Sequence, residues 1–173
     1  MMIRRFVLTG APGVGKTTIA AALRARGHVV VPEAATDVIA AGGEGDGFVD
    51  AVLVLQLRRE RAATGAVQVL DRSPLCTLAL ARYCEVRPSA ALLSACAARR
   101  YEREVFVVQP LGFVTPTAAR RISYLDSLRF AAIHDEVYRE YGYTLVPVPK
   151  APVPQRVALI EGYLQASGVA SAT

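Results

Sequence analysis

Tryptophan is absent from this chain of 173 residues, histidine and methionine occur twice each, and lysine supplies only two of the 20 basic side chains. The three cysteines, Cys76, Cys84 and Cys96, have no Cys-x-x-Cys spacing and no histidine partner. An odd, scattered set of this kind excludes a disulfide framework and a zinc knuckle, and we expect a reducing, cytoplasmic setting. Long apolar runs are missing too: Lys16, Asp50 and Arg58-Arg59-Glu60-Arg61 interrupt every stretch short of the roughly 18 residues a membrane helix needs. The N-terminal Met1-Met2-Ile3-Arg4-Arg5 has the charge of an export signal, but Phe6-Val7-Leu8 is too short to be its apolar segment, so none is expected.

Apolar material is plentiful. With 53% hydrophobic and 20% charged residues, the chain reads as one globular domain spanning residues 1–173. A net charge of +5 favours an anionic partner. The arginine groups Arg58-Arg59-Arg61 and Arg99-Arg100-Arg103 read as solvated helix ends, because basic stripes without interleaved aromatics are a weak signature of nucleic acid.

Periodicity predicts strands at Arg5 to Thr9, His28 to Val31, Ala66 to Leu70, Val105 to Val108 and Leu145-Val146. Between and after them it predicts helices at Lys16 to Arg26, Ala34 to Ala41, Phe48 to Ala63, Pro74 to Tyr83, Ser89 to Arg100, Ala118 to Tyr141 and Val153 to Ala166, with a loop at Gly42 to Gly47 and a loose tail from Ser167. Continuously apolar strands alternating with helices imply an α/β fold, a parallel sheet covered on both faces. Ligands bind such sheets at the carboxyl ends of the strands, where Gly10, Glu33, Asp71 and Gln109 fall.

Gly10-Ala11-Pro12-Gly13-Val14-Gly15-Lys16-Thr17 matches G-x-x-x-x-G-K-[ST] in full, between a predicted strand and a predicted helix. Its glycines let backbone N–H groups turn inward around an anion, and the helix start adds positive dipole. In this arrangement Lys16 reaches the β- and γ-phosphates of a nucleoside triphosphate, Thr17 ligates Mg²⁺, and Thr18 completes the cradle. Asp71, at the end of the third strand, is the candidate second magnesium ligand, or else a cap for the helix that begins near Pro74. Arg72 either clamps substrate or phosphate, or pairs with Asp71 or Glu33 as a structural bridge. Glu33 stands where a carboxylate takes the proton of an attacking hydroxyl, or simply opens a helix, with Asp37 on the same helical face. Arg120 and Arg121, behind Leu111-Gly112-Phe113, read either as arginines of a lid over residues 111–122 or as a solvated helix start. His28 and His134 read as core or surface residues. Tyr138, Tyr141 and Tyr143 read as packing for a helix end, and Pro147-Val148-Pro149 as a border for a purine ring.

The phosphate loop, Val31-Pro32-Glu33-Ala34-Ala35, Asp71-Arg72-Ser73, Val105-Phe106-Val107 and Tyr138-Arg139-Glu140-Tyr141-Gly142-Tyr143 together resemble the NadR/Ttd14-like P-loop proteins, AAA-type ATPases similar to nucleoside and nucleotide kinases. The resemblance implies a three-layer sandwich around a five-stranded sheet of order 2-3-1-4-5, ATP or GTP with Mg²⁺, and, as in ribosylnicotinamide kinases, phosphoryl transfer to a nucleoside hydroxyl. Asp71-Arg72-Ser73 is also similar to the acid-Arg-Ser element of deoxynucleoside kinases, with the acid near the metal and the arginine near substrate and phosphates. The lid departs from the family pattern: Thr115-Pro116-Thr117 stands where members often place an acidic residue. Two functions follow as expectations. One is a kinase for a small-molecule alcohol. The other is a regulatory ATPase or GTPase that acts through a protein partner, although no Asn-Lys-x-Asp guanine-reading element is present.

Overall fold

The computed structural model describes residues 3–98, 100–110 and 123–169. Five parallel strands, β1 (Arg4–Thr9), β2 (Val29–Val31), β3 (Val67–Asp71), β4 (Glu104–Val108) and β5 (Thr144–Val148), form one sheet in the order β2-β3-β1-β4-β5. Among the described residues, seven α-helices connect and cover them: α1 (Lys16–Ala25), α2 (Ala35–Ala40), α3 (Phe48–Ala62), α4 (Pro74–Tyr83), α5 (Ala90–Ala97), α6 (Tyr124–Glu140) and α7 (Val153–Val169).

Strand alternation sorts the core into two layers, because successive side chains point to opposite faces of the sheet. Val7, Leu70 and Val105 face one way and meet Leu53 of α3, Leu75 and Leu78 of α4, Leu92 of α5 and Val137 of α6. Phe6, Leu8, Val69, Phe106 and Val108 face the other way, onto Ile19 and Leu23 of α1 and Val157 and Ile160 of α7. Each fully buried Leu or Phe contributes about 1.5–3 kcal/mol, so both faces must be covered for the sheet to persist. A third cluster, Ala34, Val38 and Val52, seats α2 on α3.

The expected three-layer α/β sandwich and its strand order are what the chain forms. Local differences have local causes. Within the predicted 42–47 loop, Gly45–Gly47 forms a 3₁₀ turn. The fifth strand is longer than Leu145-Val146, because Thr144–Val148 pairs along all of β4. Of the helix placed at Ala118 to Tyr141, residues 118–122 lie outside the described residues; α6 is described from Tyr124, where the extended Ser123 caps it by accepting from Asp126 N at 3.1 Å. Among the described residues, no helix is long and apolar enough to cross a membrane.

Order reverses at β1, which pairs with β3 on one side and β4 on the other, so the crevice for a ligand opens at its carboxyl end. There the chain leaves the sheet through Gly10, whose φ of 130° and lack of a side chain allow β4 to approach; a Cβ would lie 2.6 Å from Val108 O. Gly10→Ala is therefore expected to cost about 2–4 kcal/mol, from backbone strain and overpacking combined. Urea unfolding monitored by circular dichroism checks this; a loss below about 1 kcal/mol would mean that the end of β4 yields.

Candidate active site

The loop after β1 ends at Gly15, left-handed with φ 93°, which caps α1 without a side-chain hydrogen bond and with no acidic residue in the first turn. The N–H groups at the start of α1 thus have no internal acceptor, the condition for anion binding at a helix start. Lys16 is only 6% exposed, and its Nζ folds back to donate to Gly10 O at 3.0 Å and Ala11 O at 2.7 Å. Burial, and after it the Arg72 cation, lower its pKa to about 7 against the opposing pull of Asp71 and Glu33. Such a lysine is poised to recover its full charge beside a polyphosphate.

Parallel pairing places Asp71 level with Leu8, and Arg72 N donates to Leu8 O at 3.1 Å, which brings the end of β3 alongside the phosphate loop. Asp71 is 4% exposed, and its Oδ1 accepts no hydrogen bond among the described residues. Burial pushes its pKa up, while Lys16 pulls it down. A buried carboxylate oxygen without a partner is costly unless a cation completes it. A carboxylate and the Thr17 hydroxyl are the hard oxygen donors Mg²⁺ takes, together with phosphate oxygens and water. Among the described residues, no group of three or more His, Cys, Asp or Glu is placed to hold a metal ion by itself.

Arg72 adopts a left-handed backbone, φ 79°, which costs a residue with a Cβ about 1–2 kcal/mol. Two other contacts hold its side chain. Its Nε lies 3.1 Å from Glu33 Oε1, and its Nη1 lies 3.0 Å from His134 Nε2. Because His134 Nδ1 sits 2.8 Å from Phe130 O, which can only accept, the proton is on Nδ1 and Nε2 accepts from Arg72. Burial, with Arg72 behind it, lowers the His134 pKa to about 3, so the ring stays neutral. Arg72 thus forms the expected pair with Glu33, and both residues line a cavity.

That cavity, about 500 Å³, runs from Gly13, Lys16 and Thr17 past Glu33 and Arg72 to Phe48, Val52, Leu80, Tyr83 and Phe130. Gln56 also lines it. Both Gln56 amide hydrogens are taken, by Glu60 Oε1 at 3.2 Å and Arg72 O at 3.3 Å, so its carbonyl oxygen is the group left to face the cavity. Glu60 is itself buried and accepts from Tyr101 Oη at 3.1 Å on each oxygen.

The predicted residues Gly10 to Thr18, Glu33, Asp71 and Arg72 therefore converge on one strand-end crevice. Arg120 and Arg121, with the lid at 111–122, lie outside the described residues. Arg59 departs from its expectation as a solvated helix end: it reaches from α3 to Glu33 O and Asp37 Oδ2 and ties down the start of α2. Asp37, expected to share a face with Glu33, is taken up by that bond. Gln56 and His134 were missed as site residues, because a lone glutamine or histidine in an apolar helix carries no pattern. Tyr138 does pack the end of α6, against Tyr143, and its hydroxyl also bonds the Ser73 cap of α4 at 2.7 Å.

Over residues 5–156 the sequence matches the profile of a family described as an AAA domain. No curated protein sequence matches it. Among solved structures, it is similar to a shikimate kinase from Acinetobacter baumannii, with TM-score 0.57 and 15% identity over 99% of this chain and 96% of that one. It is also similar to a deoxyadenosine kinase from M. mycoides, at TM-score 0.60 and 12% identity, covering 94% and 98% of the two chains. A thymidylate kinase from Ehrlichia chaffeensis aligns at TM-score 0.60 and 10% identity over 95% of this chain and 100% of the other. At such identities the likeness shows the fold alone, which this chain shares with these three kinases.

Proposed function

Since this chain belongs to the AAA domain family and folds like P-loop kinases, we propose that it is a magnesium-dependent kinase that moves the γ-phosphate of ATP onto the hydroxyl of a small, nucleoside-like molecule. The observation that carries this reading is the continuity of the cavity. Phosphate-loop residues, the apolar side chains of Phe48, Val52, Leu80 and Phe130, and the Glu33 and Arg72 pair all line this one cavity. A switch that acts through a protein partner needs no such chamber. The NadR/Ttd14-like affinity, and GTP as an alternative donor, belong to this same reading.

Loop N–H groups and Lys16 would hold the β- and γ-phosphates, and Thr17 and Asp71 would hold a magnesium ion. When bound, that ion neutralises charge on the phosphate oxygens. Glu33, fixed by Arg72 through Oε1 and by Thr36 through Oε2, orients the acceptor hydroxyl and takes its proton as oxygen attacks the γ-phosphorus and the bond to the β-phosphate oxygen breaks. Arg72, steadied by neutral His134, directs its guanidinium at the transferring group. The apolar side chains exclude water, so that the alcohol reacts first.

The test is acceptor-dependent ADP release from Mg·ATP across a panel of nucleosides and other small alcohols. Stimulation by one class supports the reading; tight ATP binding with no stimulation by any member would overturn it. Gln56 adds a finer expectation. Its free carbonyl favours acceptors that offer an N–H or O–H, so Gln56→Leu is expected to raise the acceptor KM about tenfold, leaving the KM for ATP unchanged. Steady-state kinetics with the best acceptor of the panel read this directly.

A further inference from the structure

Arg156 has no role in the chemistry above, yet it is 3% exposed and each arm of its guanidinium is used. From α7, Nη1 donates to Val14 O at 3.0 Å, Nη2 to Gln109 O at 3.1 Å and Nε to Pro149 O at 2.9 Å. These carbonyls belong to the three segments that leave β1, β4 and β5. All three acceptors are neutral backbone groups, so the guanidinium charge is not cancelled by a contacting carboxylate, and burial lowers its pKa from the ordinary arginine value without discharging it.

We propose that Arg156 is a positioning residue for nucleotide binding, which turns the Val14–Gly15 peptide so that the Gly15 N–H faces the phosphates and locks the β4 and β5 exit loops to the phosphate loop. The geometry of the peptide unit carries the first part. Among the described residues no peptide bond is cis, and in a trans peptide C=O and N–H point opposite ways. A Val14 carbonyl drawn toward Arg156 therefore aims the Gly15 N–H away from it, into the cradle. Nη1 also lies 3.4 Å from where a Gly15 Cβ would sit, so the guanidinium backs directly onto this left-handed turn at φ 93°. The second part follows from reach: one planar fork joins three segments that lie 142, 47 and 7 residues from Arg156 in sequence, which no flexible side chain with a single donor point can do.

This inference rests on the nucleotide reading for its binding consequence and on geometry alone for its structural one, and the test separates them. Arg156→Lys keeps the charge and the aliphatic stem but cannot span three carbonyls; Arg156→Gln removes the charge as well. Hydrogen exchange on the full chain is expected to accelerate about tenfold in residues 10–16 of R156K, with protection in β1 and β3 unchanged, and calorimetry to show Mg·ATP binding weakened about tenfold, and more in R156Q. Exchange in 10–16 that stays at the wild-type rate in R156K, or that rises equally in β1 and β3, would overturn the assignment, the latter because it marks general destabilisation. If wild-type protein gave no heat with Mg·ATP while R156K loosened residues 10–16, the nucleotide reading would fall and the positioning role would stand.

Discussion

Replacing Lys16 with alanine is expected to lower phosphoryl transfer about a thousandfold or more and to remove measurable ATP binding, while the chain stays folded. Its ammonium is the one cation aimed from the phosphate loop, and in the ligand-free protein it is held by two carbonyls, Gly10 O and Ala11 O. Phosphate oxygens would replace those carbonyls and restore the charge that burial suppresses. Binding at pH 8 is accordingly expected to take up a proton, because the lysine pKa of about 7 rises on contact with polyphosphate. Calorimetry in two buffers of different ionisation enthalpy measures the uptake. The same lowered pKa sets a stability trend with a definite sign. Between about pH 7 and the ordinary lysine value of 10.5, the unfolded chain binds more protons at this site than the folded one, so this residue makes ligand-free stability rise with pH across that window. Lys16→Met should flatten the rise. An uptake of zero protons, or a rise that K16M keeps, would show that the ammonium is charged before the nucleotide arrives.

Asp71→Asn is expected to reduce turnover about a hundredfold or more at saturating ATP, with excess Mg²⁺ recovering little of it, because asparagine keeps the shape and loses the charge that holds the metal. Its effect on stability should run the other way. Burial raises the Asp71 pKa, so the folded state holds this proton more tightly than the unfolded one, and stability from this group falls as pH climbs from the ordinary aspartate value toward the raised one. Asparagine carries no such cost, and the ligand-free D71N protein should melt above wild type at pH 7. A turnover loss together with a higher melting temperature identifies a carboxylate kept for its cation. Loss of both would instead mark Asp71 as a structural residue, the helix-capping alternative. The observed cap of α4 is Ser73, which accepts from Leu75 N at 3.3 Å.

The strand that ends at Thr9, the phosphate-loop motif from Gly10 to Thr17 and the helix that begins within it at Lys16 were legible in the sequence because they are contiguous. Glycines at fixed offsets dictate the turn, and apolar periods of two and about 3.6 dictate the elements that flank it. Asp71 was legible for a related reason: an apolar run followed by an acid places that acid at a strand end, and strand ends in parallel sheets face the ligand. Arg72 and Glu33 lie just past the ends of their strands, as the sequence had them, yet whether they pair was open, since their separation in sequence carries no distance.

Local pattern thus determined the parallel α/β architecture, the phosphate loop and the two carboxylates beside it. Tertiary structure decided the rest. Only the pairing of β1 with both β3 and β4 brings His134 and Gln56 to Arg72, and only the packing of α7 on α1 carries Arg156 to Val14. These contacts depend on which helices cover which face of the sheet. That choice is made by the burial of both faces together, a non-local free energy that no window of neighbouring residues contains.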